Sequence, residues 1–74
     1  MKLVVGGVYV GKNGWVWKCN AIEKSEFKFG GFCCYMETIS AAQNQHYSRI
    51  DFHLDGRYSL DPGCTVSIKK EIRP

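Results

Sequence analysis

No apolar run in this 74-residue chain approaches the roughly 18 residues that a membrane-spanning helix needs, so no helical membrane anchor is expected. A Gly-rich phosphate loop is also missing. Gly6-Gly7 and Gly30-Gly31 lie in strand-like runs, without the G-x-x-x-x-G-K-[ST] spacing or a following helix, which argues against nucleotide chemistry of that kind. The four cysteines lack the paired spacing of structural zinc ligands: the one close pair, Cys33-Cys34, is vicinal and points to opposite faces of a strand. His46 and His53 add no recognised metal pattern, so neither metal nor cofactor is expected, and the thiols read as small buried hydrophobes. Cys33 or Cys34 with His46 or His53 carries nothing that marks a nucleophile and its base. Asp55 is explained by a turn and Asp51 by cross-strand pairing, which leaves no general-acid pair. The chain therefore reads as a non-enzyme without a small-molecule substrate. Concentrated charge is absent too. Ten Lys and Arg against seven Asp and Glu give +3, scattered from Lys2 to Arg73 with only Lys69-Lys70 adjacent, unlike the clustered basic face of a dedicated nucleic-acid module.

What is present is 45% hydrophobic and 14% aromatic residues with 23% charge, the composition of one small folded domain over residues 1–74 with a thin core. No helical stripe appears; the pattern is short alternating segments between turn residues. Residues 3–10 superficially resemble a short signal peptide after Lys2, but no small-x-small site follows and Lys12, Trp15 and Trp17 intervene. They read as a first strand, which places the protein in the cytoplasm with reduced thiols. Asn13-Gly14 is a hairpin turn into a second strand over 15–22, with Trp15, Trp17, Cys19 and Ala21 on the core face. The third segment, 27–36, is rich in aromatics, and Gly30-Gly31 within it implies a bulge or sharp bend. Residues 38–45 suit a loop or a single helical turn. A fourth strand over 47–54 has Ile50, Phe52 and Leu54 facing the core, Asp55-Gly56 turns, 57–60 returns as a short strand, and Val66, Ile68 and Ile72 line the last one. The expected fold is an all-β, five-to-six-stranded antiparallel barrel, closed or half-closed, SH3-like or related.

On that reading Tyr47, Arg49, Asp51 and His53 form an outward row on the fourth strand. Tyr and Arg are enriched at interface hot spots, and the row's mixed charge suits a protein partner. Trp15 and Trp17 are either core or a second contact surface. With Tyr47 and Arg49 they also form the alternative reading, an aromatic and basic face that stacks single-stranded nucleic acid.

The framework Val4-x-Gly6-x-x-Tyr9 or Val5-Gly6-x-Val8-Tyr9, then Lys12-Asn13-Gly14, then Asp55-Gly56-Arg57-Tyr58-Ser59 resembles a loose group of short phage and prophage proteins. The resemblance covers both ends of the chain and departs from the group in the Cys- and aromatic-rich third segment and in residues 38–45. It implies a small all-β protein of the kind phages use against host machines: an inhibitor of a defence nuclease, a CRISPR effector or the transcription apparatus, acting in the bacterial cytoplasm on a host protein or complex, with nucleic acid as a further partner class and no role for membranes.

Overall fold

The computed structural model describes residues 1–41 and 45–73. Five antiparallel strands form one sheet in the order β4-β3-β2-β1-β5. They are β1 (Val8–Gly11), β2 (Val16–Lys24), β3 (Phe32–Ser40), β4 (Ile50–His53) and β5 (Ile68–Arg73). The sheet is all-β apart from one 3-10 turn, Phe29–Gly31, ahead of β3. None of its helical segments is long and apolar enough to cross a membrane.

Local chemistry explains where the strands turn. Gly11 and Trp15 close the β1–β2 hairpin by a backbone bond of 2.8 Å, and Gly14 sits inside it at φ +88°, where its N–H donates to the Gly11 carbonyl. The Asn13 carboxamide accepts the Trp15 N–H at 3.0 Å, which fixes how Trp15 leaves the turn. At the other end of the sheet, Gly56 turns the chain after β4 at φ +91°. Gly30 and Gly31 form no bulge inside a strand. Both adopt left-handed backbone at φ +80° and +78° in the turn that precedes β3, and the strand starts after them.

The core is one cluster of Leu3, Tyr9, Trp17, Cys19, Cys34, Met36, Phe52 and Ile68, with Trp15, Ile22, Ile50, Leu54 and Val66 packed half-buried against it. Register accounts for the faces. Cys34 lies opposite Phe52 and Met36 opposite Ile50, on the core side, whereas Cys33 opposite His53 and Tyr35 opposite Asp51 lie on the other. In β2 a register shift between Cys19 and Ala21 changes the alternation, so Cys19 pairs with Met36 but Ala21 pairs with outward Tyr35. Ala21 is therefore not on the core face expected of it.

Other expectations are corrected as well. The first strand begins at Val8 rather than residue 3, because the Val4 N–H is taken by the Tyr9 hydroxyl at 2.8 Å and the Gly7 N–H by the Val4 carbonyl at 3.1 Å. Residues 38–40 continue β3, since Thr38 pairs with Trp17 and Ser40 with Val16; residues 42–44 lie outside the described residues. Residues 57–60 are not a strand: the Tyr58 N–H goes to the Ser67 hydroxyl at 3.0 Å and the Asp61 N–H to Ser59. Ile72, expected inside, is 52% exposed on the edge strand. Finally, no ladder joins β4 to β5, so the sheet is not closed into a barrel. One backbone bond, Ile68 N–H to the Gly56 carbonyl, links β5 to the turn after β4, and another, Leu3 N–H to the Leu54 carbonyl, ties the segment before β1 to that turn, both 2.8 Å.

Candidate functional site: an aromatic and cationic band

The Trp-x-Trp spacing at the start of β2 puts both indoles on one face, and the chain that enters β4 lays a third ring upon them. Tyr47 stacks on Trp15 at 5.5 Å between centroids and on Trp17 at 6.3 Å. It is held there by a reciprocal pair of bonds with Thr38: the Tyr47 N–H donates to the Thr38 hydroxyl at 2.8 Å, and the Thr38 N–H to the Tyr47 carbonyl at 3.0 Å. The series continues inward, with Phe52 edge-on to Trp17 at 5.0 Å and Tyr58 tilted against Phe52 at 5.5 Å. Trp17 is 1% exposed, and its buried Nε1 has no acceptor among the described residues, so packing alone holds the ring. Trp15 is half-buried, and Tyr47 and Tyr58 are 36% and 41% exposed. Between these rings lies a slot of about 150 Å³ lined by Trp15, Trp17, Tyr47, Ile50, Tyr58 and Val66.

This slot does not end the feature. Ile50 and Tyr58 also line a neighbouring open cavity of about 630 Å³ together with Lys28, Arg49 and Asp51. Lys28 in turn borders a third hollow with Glu26, Phe27, Phe29, His53 and Leu60. The shared residues make one band of three adjoining depressions, apolar at one end and charged in the middle. Its far end carries three exposed apolar side chains, Phe27 at 91%, Phe29 at 54% and Leu60 at 51%.

The charged middle is partly neutralised. Arg49 spans the Tyr35 ring, its guanidinium carbon 3.8 Å from the centroid, and its Nε is 3.5 Å from Asp51. The Tyr35 hydroxyl donates to Glu23, a bond that raises the phenol's pKa because the carboxylate prefers the protonated donor. Lys28 is half-buried at the start of the 3-10 turn and enters no ion pair among the described residues.

The expected row of Tyr47, Arg49, Asp51 and His53 is therefore redistributed. Arg49 and Asp51 are outward, as expected. Tyr47 precedes β4 and lies on the indoles. His53 is only 7% exposed, because the turn before β3 folds over it and the Phe29 N–H donates to its Nδ1 at 3.0 Å. That bond needs a neutral imidazole. Burial, aided by the Lys28 and Arg57 cations, lowers the His53 pKa against the opposing pull of Asp55. His53 is thus a wall of the band and an anchor for the turn, not a free contact residue. Trp17 likewise belongs to the core. Lys28, Phe27, Phe29, Tyr58 and Leu60 were missed from the sequence, since 27–36 and 57–60 read as strands and nothing in them marked a shared surface.

Among the described residues no group of three or more His, Cys, Asp or Glu side chains is placed to hold a metal ion. Cys19, Cys33, Cys34 and Cys64 are free thiols. Compared with known protein families, curated proteins and solved structures, the chain matches none.

Proposed function

We propose that this chain is a non-enzymatic interaction protein, a half-closed SH3-like small barrel that binds a macromolecular partner along the aromatic and cationic band. The observation that carries this reading is the continuity of the band: three adjoining depressions joined through Ile50, Tyr58 and Lys28, bordered by exposed aromatic rings. A contiguous apolar surface rimmed by polar groups marks an interaction site, and Trp, Tyr and Arg are the side chains that most often anchor one. The strand order and the bonds that tie Leu3 to Leu54 and Ile68 to Gly56 favour the half-closed barrel. With the phage-like framing of the turns, the partner is a host protein or complex in the bacterial cytoplasm, a defence nuclease, CRISPR effector or transcription component that the protein blocks by occupying its surface.

Nucleic acid is the second reading, favoured by the part-exposed Trp15–Tyr47 stack, whose slot adjoins the cavity that Arg49 and Lys28 line. The two separate in one experiment: the protein, immobilised, captures its partner from bacterial lysate with and without nuclease treatment, beside a Trp15→Ala/Tyr47→Ala variant. A protein retained after nuclease treatment by the parent and lost by the variant supports the reading. Capture that nuclease abolishes, or that the variant retains in full, overturns it.

A further inference from the structure

Lys28 occupies an unusual place in the band. Arg49 has Asp51 and the Tyr35 ring, and Arg57 has Asp55, its Nη2 forming an ion pair with Oδ2 at 2.6 Å; Lys28 is half-buried without an ion pair among the described residues. It borders both the open charged cavity and the Phe27–Phe29–Leu60 hollow. The charged cavity in turn shares Ile50 and Tyr58 with the aromatic slot. A chain lying along the band from the slot must therefore pass Lys28. Asp51 and Glu26 line the hollows on either side of Lys28, but neither is ion-paired with it among the described residues, so its ammonium stays available to an anion lodged in the band.

Resting on the protein-binding reading above, we infer that the partner presents an extended segment with a bulky apolar side chain in the Trp15–Trp17–Tyr47–Tyr58 slot and a carboxylate a few positions away at Lys28. The slot's volume of about 150 Å³ is of the order of one large side chain. Net charge agrees, since the whole chain is +3 and an acidic segment is drawn to it. The carboxylate completes the charge pattern that Lys28 leaves open, and Arg49, already partnered, contributes to the same field. His53 reports on the event. It sits beneath the Phe27–Phe29 turn, sharing a hollow with Lys28 and Glu26 from the turn, and is faced by Asp55 and Arg57 from the hairpin after β4 and by Cys33 from β3. A carboxylate that neutralises Lys28 removes one of the cations that disfavour His53 protonation, so the imidazole titrates at higher pH when the segment is bound.

The test is a random dodecapeptide display library panned against the folded protein, with oligo-dT of equal length as the nucleic-acid probe. The inference expects enriched peptides that combine a Trp, Phe, Leu or Pro anchor with Asp or Glu. Lys28→Glu should bind them at least about tenfold more weakly and, panned itself, select the same anchors beside Lys or Arg. Lys28→Gln should lose the charge preference without reversing it. Both variants are accepted only with the parent's melting temperature, which is expected because Lys28 lies outside every strand. The His53 ring protons, followed by NMR, should titrate at higher pH in the presence of a selected peptide. Apolar anchors enriched without an acidic residue, or acidic peptides indifferent to Lys28→Glu, overturn the Lys28 assignment and leave the protein-binding reading standing. Salt-sensitive binding of oligo-dT with no peptide enriched overturns both, as does the absence of any binding.

Discussion

The four cysteines divide into three buried thiols and one that is part-exposed. Burial pushes Cys34 up to about 12, and the same cause raises Cys19 and Cys33, so all three are unreactive thiols at neutral pH. Cys64 is the exception: part-exposed in the loop before β5, it is pushed up by burial but brought down further by the polar groups of Val66 and Ser67 near its sulfur, so its pKa is lowered. A chromogenic disulfide reagent at pH 7.5 should therefore titrate one thiol rapidly in the folded protein, Cys64→Ser should abolish that phase, and denaturant should release the other three. His53 makes a second residue-scale prediction. Its folded pKa lies below the ordinary 6.5, so the unfolded chain binds the proton more readily. Its contribution to stability is complete above about pH 6.5 and is lost as pH falls through the folded value, where protonation also removes the acceptor for Phe29. Thermal melting should accordingly drop between neutral pH and mildly acid pH, and His53→Asn, which offers an acceptor that does not titrate, should flatten that slope.

At the scale of elements, the turns carry more of the fold than their length suggests. Gly56 stands at φ +91°, and a Cβ there would meet the Ile68 Cβ at 3.1 Å, so Gly56→Ala combines backbone strain with crowding at the bond that links β5 to the turn after β4. It should destabilise by about 1–3 kcal/mol in a denaturant titration, whereas Gly14→Ala, equally left-handed but open around the site, should cost the smaller part of that range. Turn chemistry of this sort is local, which is why Asn13-Gly14 and Asp55-Gly56 were legible in the sequence along with the Trp15–Trp17 face and the buried Phe52. What escaped depends on distant partners. The capture of the Val4 N–H by the Tyr9 hydroxyl delays β1, the pairing of Trp17 and Val16 with Thr38 and Ser40 lengthens β3, and the register shift after Cys19 turns Ala21 outward. Of the site, the aromatic rings announced themselves by type. Lys28 did not, because a lone lysine between two phenylalanines, in a segment that reads as a strand, acquires meaning only when folding sets it between two depressions. On the edge strand β5, Lys69, Lys70, Glu71 and Arg73 are all exposed, a row of charge that discourages pairing with another sheet.

For the whole molecule, the aromatic series joins stability to function through rings of opposite exposure. Phe52 is fully buried between Trp17 and Tyr58, and Phe52→Ala should cost about 3–5 kcal/mol, enough in a domain of this size to abolish the cooperative melt. Tyr47 and Arg49 are far more exposed: Tyr47 covers the outer side of the indoles and Arg49 lies over the Tyr35 ring, so truncating both removes contact surface while Phe52 stays packed. Tyr47→Ala combined with Arg49→Ala should retain the parent's fold and weaken partner binding at least about tenfold, equivalent to about 1.4 kcal/mol. The most direct measurement is amide chemical-shift mapping of the isotopically labelled protein against the partner recovered from lysate, with that double variant as control. The band account predicts shifts concentrated at Trp15, Lys28, Tyr47, Arg49 and Tyr58 and strongly reduced in the variant. Shifts centred on the far edge strand, around Lys69, Glu71 and Arg73, with parental affinity in the variant, would contradict it.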